Sequence, residues 1–342
     1  MKSYLLWGGG ATLLVLTGWL SSRTGSNKLF RQLPSSETGI TFANRLTETD
    51  SLNALTFEYM YNGAGVGVGD FNRDGKQDLY FAGNQVSSRL YLNRTGRSRI
   101  GASGSDESIR FVDITAQSKT GTDAWCTGVS VADVNQDGWP DIYVCVAGRT
   151  AKTPQQANKL FINNGLSPDA LTAGAVPTFT ERSAEYGLND TGYSTQAAFF
   201  DYDRDGDLDC YLLTNALETT SRNNLRPKHL NGEAPGTDRL YQNEGGHFKN
   251  VSRQAGILTE GYGLGLCVSD LDDNGWPDVY CANDFLSNDL IWMNQPRAGN
   301  PNFVNQAAHL LKHQTHNGMG VDIADINNDA LPDIVVLDML PA

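Results

Sequence analysis

The sequence is short of positive charge, of cysteine, and of apolar runs beyond its first twenty residues. Its 26 Lys and Arg stand against 39 Asp and Glu, a net charge of −13. That balance excludes a nucleic-acid binder that works by neutralising phosphates. Five cysteines in 342 residues, none before Cys126, exclude both a full disulfide framework and a lipidated cysteine near the N-terminus. The mean hydropathy of −0.38 excludes a polytopic membrane protein. Helix-period apolar runs of useful length are missing, so a helical solenoid is not expected. There is no HExxH, GxSxG, P-loop or Rossmann fingerprint. Histidine is concentrated only at His309, His313 and His316, which reads as a connection between strands rather than a transition-metal site.

Glycine, by contrast, is plentiful. The 36 glycines are about a tenth of the chain, above the usual share of about 7%, and favour a turn-rich all-β protein. At the N-terminus, Lys2, an apolar run from Tyr4 to Leu20 and a polar stretch from Ser21 to Lys28 describe an export signal. A single-span anchor is the alternative, since a run of about 17 residues sits at the short edge of what crosses a bilayer. The chain therefore divides into a signal peptide or membrane anchor at 1–25 and a folded region at 26–342. Its expected location is extracytoplasmic: secreted, periplasmic or at the cell surface.

One segment recurs five times: GDFNRDGKQDLYFAG, ADVNQDGWPDIYVCV, FDYDRDGDLDCYLLT, SDLDDNGWPDVYCAN and ADINNDALPDIVVLD. The leading aspartates, Asp70, Asp133, Asp201, Asp270 and Asp325, are 63, 68, 69 and 55 residues apart. In step with them run an LYxN-like set (Arg89–Asn93 and its equivalents) and a set centred on Phe42, Phe111, Phe179, Phe248 and Phe303. Each repeat thus offers four short segments rich in β-branched and aromatic residues and bounded by Gly, Asn or Asp, which read as strands. Four strands per repeat of about 60 residues is the pattern of a β-propeller blade. The fifth repeat stops after its second segment, Asp333–Asp338. The expectation is an incomplete propeller, the alternative being a five-bladed ring closed by a strand at Ile40–Asn44.

The acidic loops follow D-x-[DN]-x-[DN]-[GA]-x-x-D. Oxygens at positions 1, 3, 5 and 9 with a carbonyl at 7 suit a hard cation with six to eight oxygen ligands. Loop one offers Asp70, Asn72, Asp74, Lys76 and Asp78; loop two, Asp133, Asn135, Asp137, Trp139 and Asp141. Loop three offers Asp201, Asp203, Asp205, Asp207 and Asp209; loop four, Asp270, Asp272, Asn274, Trp276 and Asp278. Loop five offers Asp325, Asn327, Asp329, Leu331 and Asp333, but Ala330 replaces the glycine and predicts a strained, weaker site. An EF-hand is rejected because its bidentate Glu at position 12 is replaced by Phe81, Val144, Leu212, Cys281 and Val336. Up to five Ca²⁺ ions are expected. The acidity belongs to these loops, since their ligand aspartates alone outnumber the net charge of −13.

These loops and strands resemble the FG-GAP/VCBS repeats of integrin-α-type calcium-binding β-propellers. The run Gly63–Gly75, the LYxN segments and Asp338–Pro341 are similar to exported bacterial FG-GAP/VCBS proteins related to cartilage acidic protein. The resemblance covers about residues 38–341. Those relatives often carry an ASPIC/UnbV domain further on, and no segment here looks like it.

Strand alternation places the metal hairpins on one face. The opposite face carries the insertion Asn215–Asp238, with Arg222, Arg226, Lys228 and His229, and gathers Tyr59, Tyr61, Trp125, Tyr193 and Tyr262. Aromatic residues and arginine mark recognition surfaces. The expected function is a non-catalytic module that recognises a protein or glycan, with Trp125, Tyr193, Arg222, Arg226 and Tyr262 as its candidate contacts. The alternative is a carbohydrate-active lyase or hydrolase on the same scaffold. Cys267 and Cys281 flank loop four, where a disulfide and two unbridged thiols are equally compatible with the spacing.

Overall fold

Strands pair within each repeat, and the first strands of successive repeats lie against one another. The computed structural model describes residues 30–97, 107–147, 156–216, 227–284, 288–314 and 316–339. The N-terminal signal or anchor, Arg222, Arg226 and the end of the DMLP motif lie outside the described residues. The chain divides into Met1–Pro34 and Ser35–Ala342, and all the sheets belong to the second unit. Among the described residues no helix is long and apolar enough to cross a membrane.

Four antiparallel sheets of four strands follow one another. The first is Val66–Gly69, Asp78–Phe81, Arg89–Asn93 and Phe111–Asp113. The second is Cys126–Ala132, Asp141–Val146, Lys159–Asn163 and Phe179–Glu181. The third is Ser194–Phe200, Asp209–Thr214, Arg239–Asn243 and Phe248–Asn250. The fourth is Gly263–Ser269, Asp278–Asn283, Leu290–Asn294 and Phe303–Asn305. Strands pair in sequence order within each sheet, as in propeller blades. In the fifth repeat Gly318–Ala324 pairs with Asp333–Asp338 as a two-stranded sheet.

The second strand of each blade explains why its sequence is a continuous apolar run rather than an alternating one. Asp141–Val146, Asp209–Thr214 and Asp278–Asn283 are buried along their whole length, with neighbouring sheets on both faces. Each carries one buried tyrosine whose hydroxyl finds a partner. Tyr80 donates to the Thr120 carbonyl at 2.9 Å, Tyr143 to the Leu188 carbonyl at 2.9 Å, Tyr211 to Asp238 at 2.7 Å and Tyr280 to Asp289 at 2.7 Å. Burying such a ring contributes about 1.5–3 kcal/mol, and the hydrogen bond removes the cost of desolvating its hydroxyl. The cores lie between successive sheets: Phe71, Tyr80, Leu90, Ile142, Val144 and Phe161 fill the space between the first two.

First strands of successive sheets lie side by side. Gly128 allows that approach, because a β-carbon there would sit 2.5 Å from the Thr195 carbonyl oxygen. Hydroxyls then stitch the strands together, Thr127 donating to the Ser194 carbonyl at 2.7 Å and Thr195 to the Gly263 carbonyl at 2.9 Å.

One expectation is corrected. Ile40–Asn44 is not a strand. The helical turn Ser35–Thr38 ends on Gly39, whose β-carbon position lies 2.6 Å from the Phe111 carbonyl oxygen. Gly187 after Ser183–Tyr186 sits likewise 2.5 Å from the Phe248 oxygen, and Gly256 after Ser252–Ala255 2.6 Å from the Phe303 oxygen. The segment before Phe42 is thus the turn that follows a fourth strand, not the strand itself. Phe42 stacks on Phe81 of the first sheet at 5.2 Å instead of pairing beside Ile334–Leu337. Of the two states left open for Cys267 and Cys281, the structure shows free thiols. Cys267 faces Tyr280 across the ladder and Leu266 faces Cys281. That offset of one residue turns the two thiols to opposite faces.

The turn packing makes a test. Gly256 has φ of +90° and no room for a side chain, whereas Gly245 has φ of +67° and nothing within 4 Å. Gly245→Ala should cost about 1–2 kcal/mol from its left-handed backbone, and Gly256→Ala clearly more, measured by urea midpoints.

Candidate metal centre

The five acidic loops share one backbone path. Position four is left-handed in each, at Arg73, Gln136, Arg204, Asp273 and Asn328, with φ between 53° and 64°. Position six is left-handed too, at Gly75, Gly138, Gly206, Gly275 and Ala330. Ala330 adopts φ of 69°, so the fifth loop takes the same turn against the preference of an alanine.

This path aims backbone N–H groups at the carboxylates. The first aspartate accepts from the fifth and sixth residues, as Asp70 does from Asp74 at 2.9 Å and Gly75 at 2.8 Å. The same pair of bonds recurs at Asp133, Asp201, Asp270 and Asp325. The fifth residue accepts from the N–H of the seventh, at Lys76, Trp139, Asp207, Trp276 and Leu331.

The ninth position anchors each loop in the sheet. Asp78, Asp141, Asp209 and Asp278 are at most 1% exposed. One oxygen accepts from the second loop residue, Phe71, Val134, Tyr202 or Leu271. The other accepts from the asparagine that ends the third strand, Asn93, Asn163, Asn243 or Asn294, at 2.7–2.8 Å. Burial pushes these carboxyls up, to about 7 for Asp78 and Asp141, about 8 for Asp209 and about 6 for Asp278. The backbone donors oppose the shift and the neighbouring loop carboxylates add to it.

Loops three and four converge three carboxylates each, Asp201 with Asp203 and Asp209, and Asp270 with Asp272 and Asp278, their oxygens within 4.8 Å of one another. Asn72, Asn135 and Asn327 take the third position of the other loops, which therefore bring fewer charges together. In loop three, Asp203 and Asp207 each hold a buried oxygen with no hydrogen-bond partner. Desolvation and then Asp205 push both carboxyls up, Asp207 to about 6. Buried carboxylate oxygens without donors, in a set of oxygens alone, fit a hard cation. Loop five is the most open, with Leu331 64% exposed.

Neighbouring loops interlock through their fourth residues. Arg73 lies over the Trp139 ring at 5.2 Å and Arg204 over the Trp276 ring at 5.4 Å. Between them Gln136 donates to the Gly206 carbonyl at 2.9 Å. Each exposed cation–π pair is worth about 0.5–1 kcal/mol.

At the far ends of the first strands lies a cavity of about 620 Å³. Trp125 and Tyr59 line it with Gln196, Thr127 and Thr195. Of the residues expected on that face, the structure brings Trp125, Tyr59 and Tyr61 here. Tyr193 and Tyr262 are half-buried nearby, their carbonyls accepting from Asn215 and Asp284, and do not line the cavity. The exposed His309, His313 and His316 form no metal-sized group among the described residues. Gln196 and Phe57 escaped sequence reasoning, because only the folded chain brings these distant segments together.

The fold and loops define an all-β repeat protein of propeller-type blades with oxygen-rich hairpins. A family described as FG-GAP-like repeat matches residues 70–144 and 270–336, so the chain carries FG-GAP repeats in at least those two regions. No curated protein matches the chain. Among solved structures it is similar to an Agrocybe aegerita lectin described as specifically recognising non-reducing terminal N-acetylglucosamine, with 16% identity and a TM-score of 0.33. The match covers 69% of this chain and 49% of the lectin, so the chain spans about half of that protein's length.

The raised carboxyls fix a pH dependence for the metal-free chain. Their folded values lie above the ordinary 3.8, so protonation stabilises the fold. That contribution is full below about pH 4 and is lost as pH rises through about 6–8. In EDTA the melting temperature should be higher at pH 5 than at pH 8.

Proposed function

We propose that this protein is an exported, calcium-loaded recognition module that binds a protein or glycan without catalysis. Supporting the calcium reading is one observation above all: five loops repeat the same strained backbone path, and loop three leaves Asp203 and Asp207 oxygens buried without donors. Carboxylates, amide oxygens and a carbonyl suit Ca²⁺ rather than the softer metals that prefer thiolate or imidazole. Bound cations would supply the charge that lets these carboxylates stay ionised together. They would cancel ten of the thirteen net negative charges if all five loops fill.

Export is supported by the pattern of Lys2 and Tyr4–Leu20, and attachment through that segment is the membrane-bound version of the same reading. Calcium suits such a location, where weak extracellular modules work at high concentrations of the ion. The recognition reading is supported by the cavity with Trp125, set at the opposite ends of the strands that carry the loops. The metals hold the scaffold, and the other face is left for a partner.

Binding to the folded state alone stabilises it by about 2.7 kcal/mol per site at one hundred times Kd. Ca²⁺ should therefore raise the melting temperature by several degrees at pH 8, and EDTA should reverse the rise. Asp203→Ala should lose more of this increment than Asp169→Ala, since Asp169 sits in the short helix Pro168–Thr172, outside any metal loop. A melting curve indifferent to EDTA, with no calcium by elemental analysis, would overturn the reading.

A further inference from the structure

The cavity owes one wall to a segment that breaks the repeat. Between Gly39 and Val66 run residues 40–65, where the next repeat has only residues 120–125. This insertion is folded on itself, with Phe57 and Met60 buried and Asn53 bonded to Thr56 at 3.0 Å. It is tied down at Asn44 to Asn84 and at Thr47 to Gln85. Tyr59 reaches the fourth blade, donating to Asp284 at 2.9 Å. The opposite walls are the starts of the first strands, from Thr127 and Thr195 to Leu264 and Met319. A volume of about 620 Å³ lies in the range of small-molecule sites.

The hydroxyls that line this cavity have their hydrogens committed elsewhere. Tyr59 donates to Asp284 and Tyr61 to Glu48 at 2.7 Å; Thr127 donates to the Ser194 carbonyl and Thr195 to that of Gly263. A hydroxyl that donates its one hydrogen keeps only lone pairs to offer. The phenol of Tyr61 is held above its usual range by that hydrogen bond to Glu48, so it keeps the proton it donates. Gln196 uses its amide oxygen on the Leu266 N–H, leaving its NH2 group as a donor. The lining is thus rich in acceptors. Among the described residues that form it, no side chain is charged, and the carboxylates of Glu48 and Asp284 accept from the phenols.

We propose that this cavity binds an uncharged carbohydrate, whose hydroxyls donate to the phenol and threonine oxygens while its C–H face lies on Trp125. This rests on the recognition reading and narrows it. Carboxylate, sulfate and phosphate groups are acceptors only. An anionic ligand could use the amide and indole N–H groups of Gln196, Asn62 and Trp125, but would set its lone pairs against those of the four hydroxyls, two of which donate to carboxylates. A quaternary ammonium would use the rings but leave the acceptors unmatched. A sugar offers both donors and an apolar face. Trp125 is held for stacking by Phe57, whose ring meets it edge-on at 5.1 Å and is 2% exposed.

The test applies calcium-loaded full-length protein to an array of neutral, uronate-bearing, sulfated and phosphocholine-bearing glycans, with affinities then measured by calorimetry. Neutral glycans should bind. Trp125→Ala should weaken them by about tenfold or more. Tyr61→Phe, which removes one oxygen from an exposed ring and leaves the fold intact, should weaken them several-fold at an unchanged melting temperature. Binding confined to acidic or phosphocholine glycans would overturn the proposal, as would no binding to any neutral glycan, or neutral binding indifferent to both variants. A purified protein ligand bound in the absence of glycan binding would remove this inference and leave the recognition reading standing.

Discussion

A carboxylate buried at the base of every complete blade is the constraint on which this fold turns. Asp78, Asp141, Asp209 and Asp278 each join the acidic loop to the end of the third strand through two backbone N–H groups. Without them the hairpin has nothing to fix its angle to the sheet. With them each blade contains a buried acidic group beside two to four other carboxylates. Two backbone donors offset part of that cost, but the raised carboxyls show that they do not offset all of it. The loops are therefore stable as turns and frustrated as charges, which is the condition under which a cation changes the stability of the whole chain.

The five loops are not equal. Loop three concentrates Asp201, Asp203, Asp205, Asp207 and Asp209 and has the unpartnered oxygens. Loop five substitutes Ala330 and stands open to water. The grading is coupled around the molecule, because Arg73, Gln136 and Arg204 each reach into the following loop.

Much of this was legible in the sequence, for a physical reason. All ligands of a loop lie within nine residues, and all strands of a blade within about sixty, so spacing alone exposes them. Phe42 misled because it falls 69 residues before Phe111, in step with the repeat. The helical turn Ser35–Thr38 and the left-handed Gly39 were the true markers of register, and they carry no apolar periodicity to find them by. The choice between a disulfide and free thiols at Cys267 and Cys281 turned on a single residue of register, which spacing across a hairpin does not resolve. The cavity was legible only through Trp125 and its neighbouring tyrosines. Gln196, Thr127 and Thr195 are ordinary strand residues whose meaning comes from the convergence of five distant segments.

The repeat and its exception divide the labour. Where the sequence obeys the repeat, polar groups are satisfied by equivalents in the next blade: Asn163 reaches the Phe71 carbonyl and Asn294 the Tyr202 carbonyl, each closing the gap to a preceding loop. Such a pattern commits these donors and acceptors to the scaffold. Residues 40–65 have no equivalent in the later repeats, so the phenols they bring cannot be satisfied by repetition and instead recruit Glu48 and Asp284. Their oxygens, together with the threonine oxygens beneath, are what the regular architecture leaves over. A cavity built from an irregular insertion over the ends of regular strands can vary its lining without disturbing the acidic loops at the other ends. That separation sets the chain-specific insertion and its cavity at one end of the strands and the repeated acidic loops at the other.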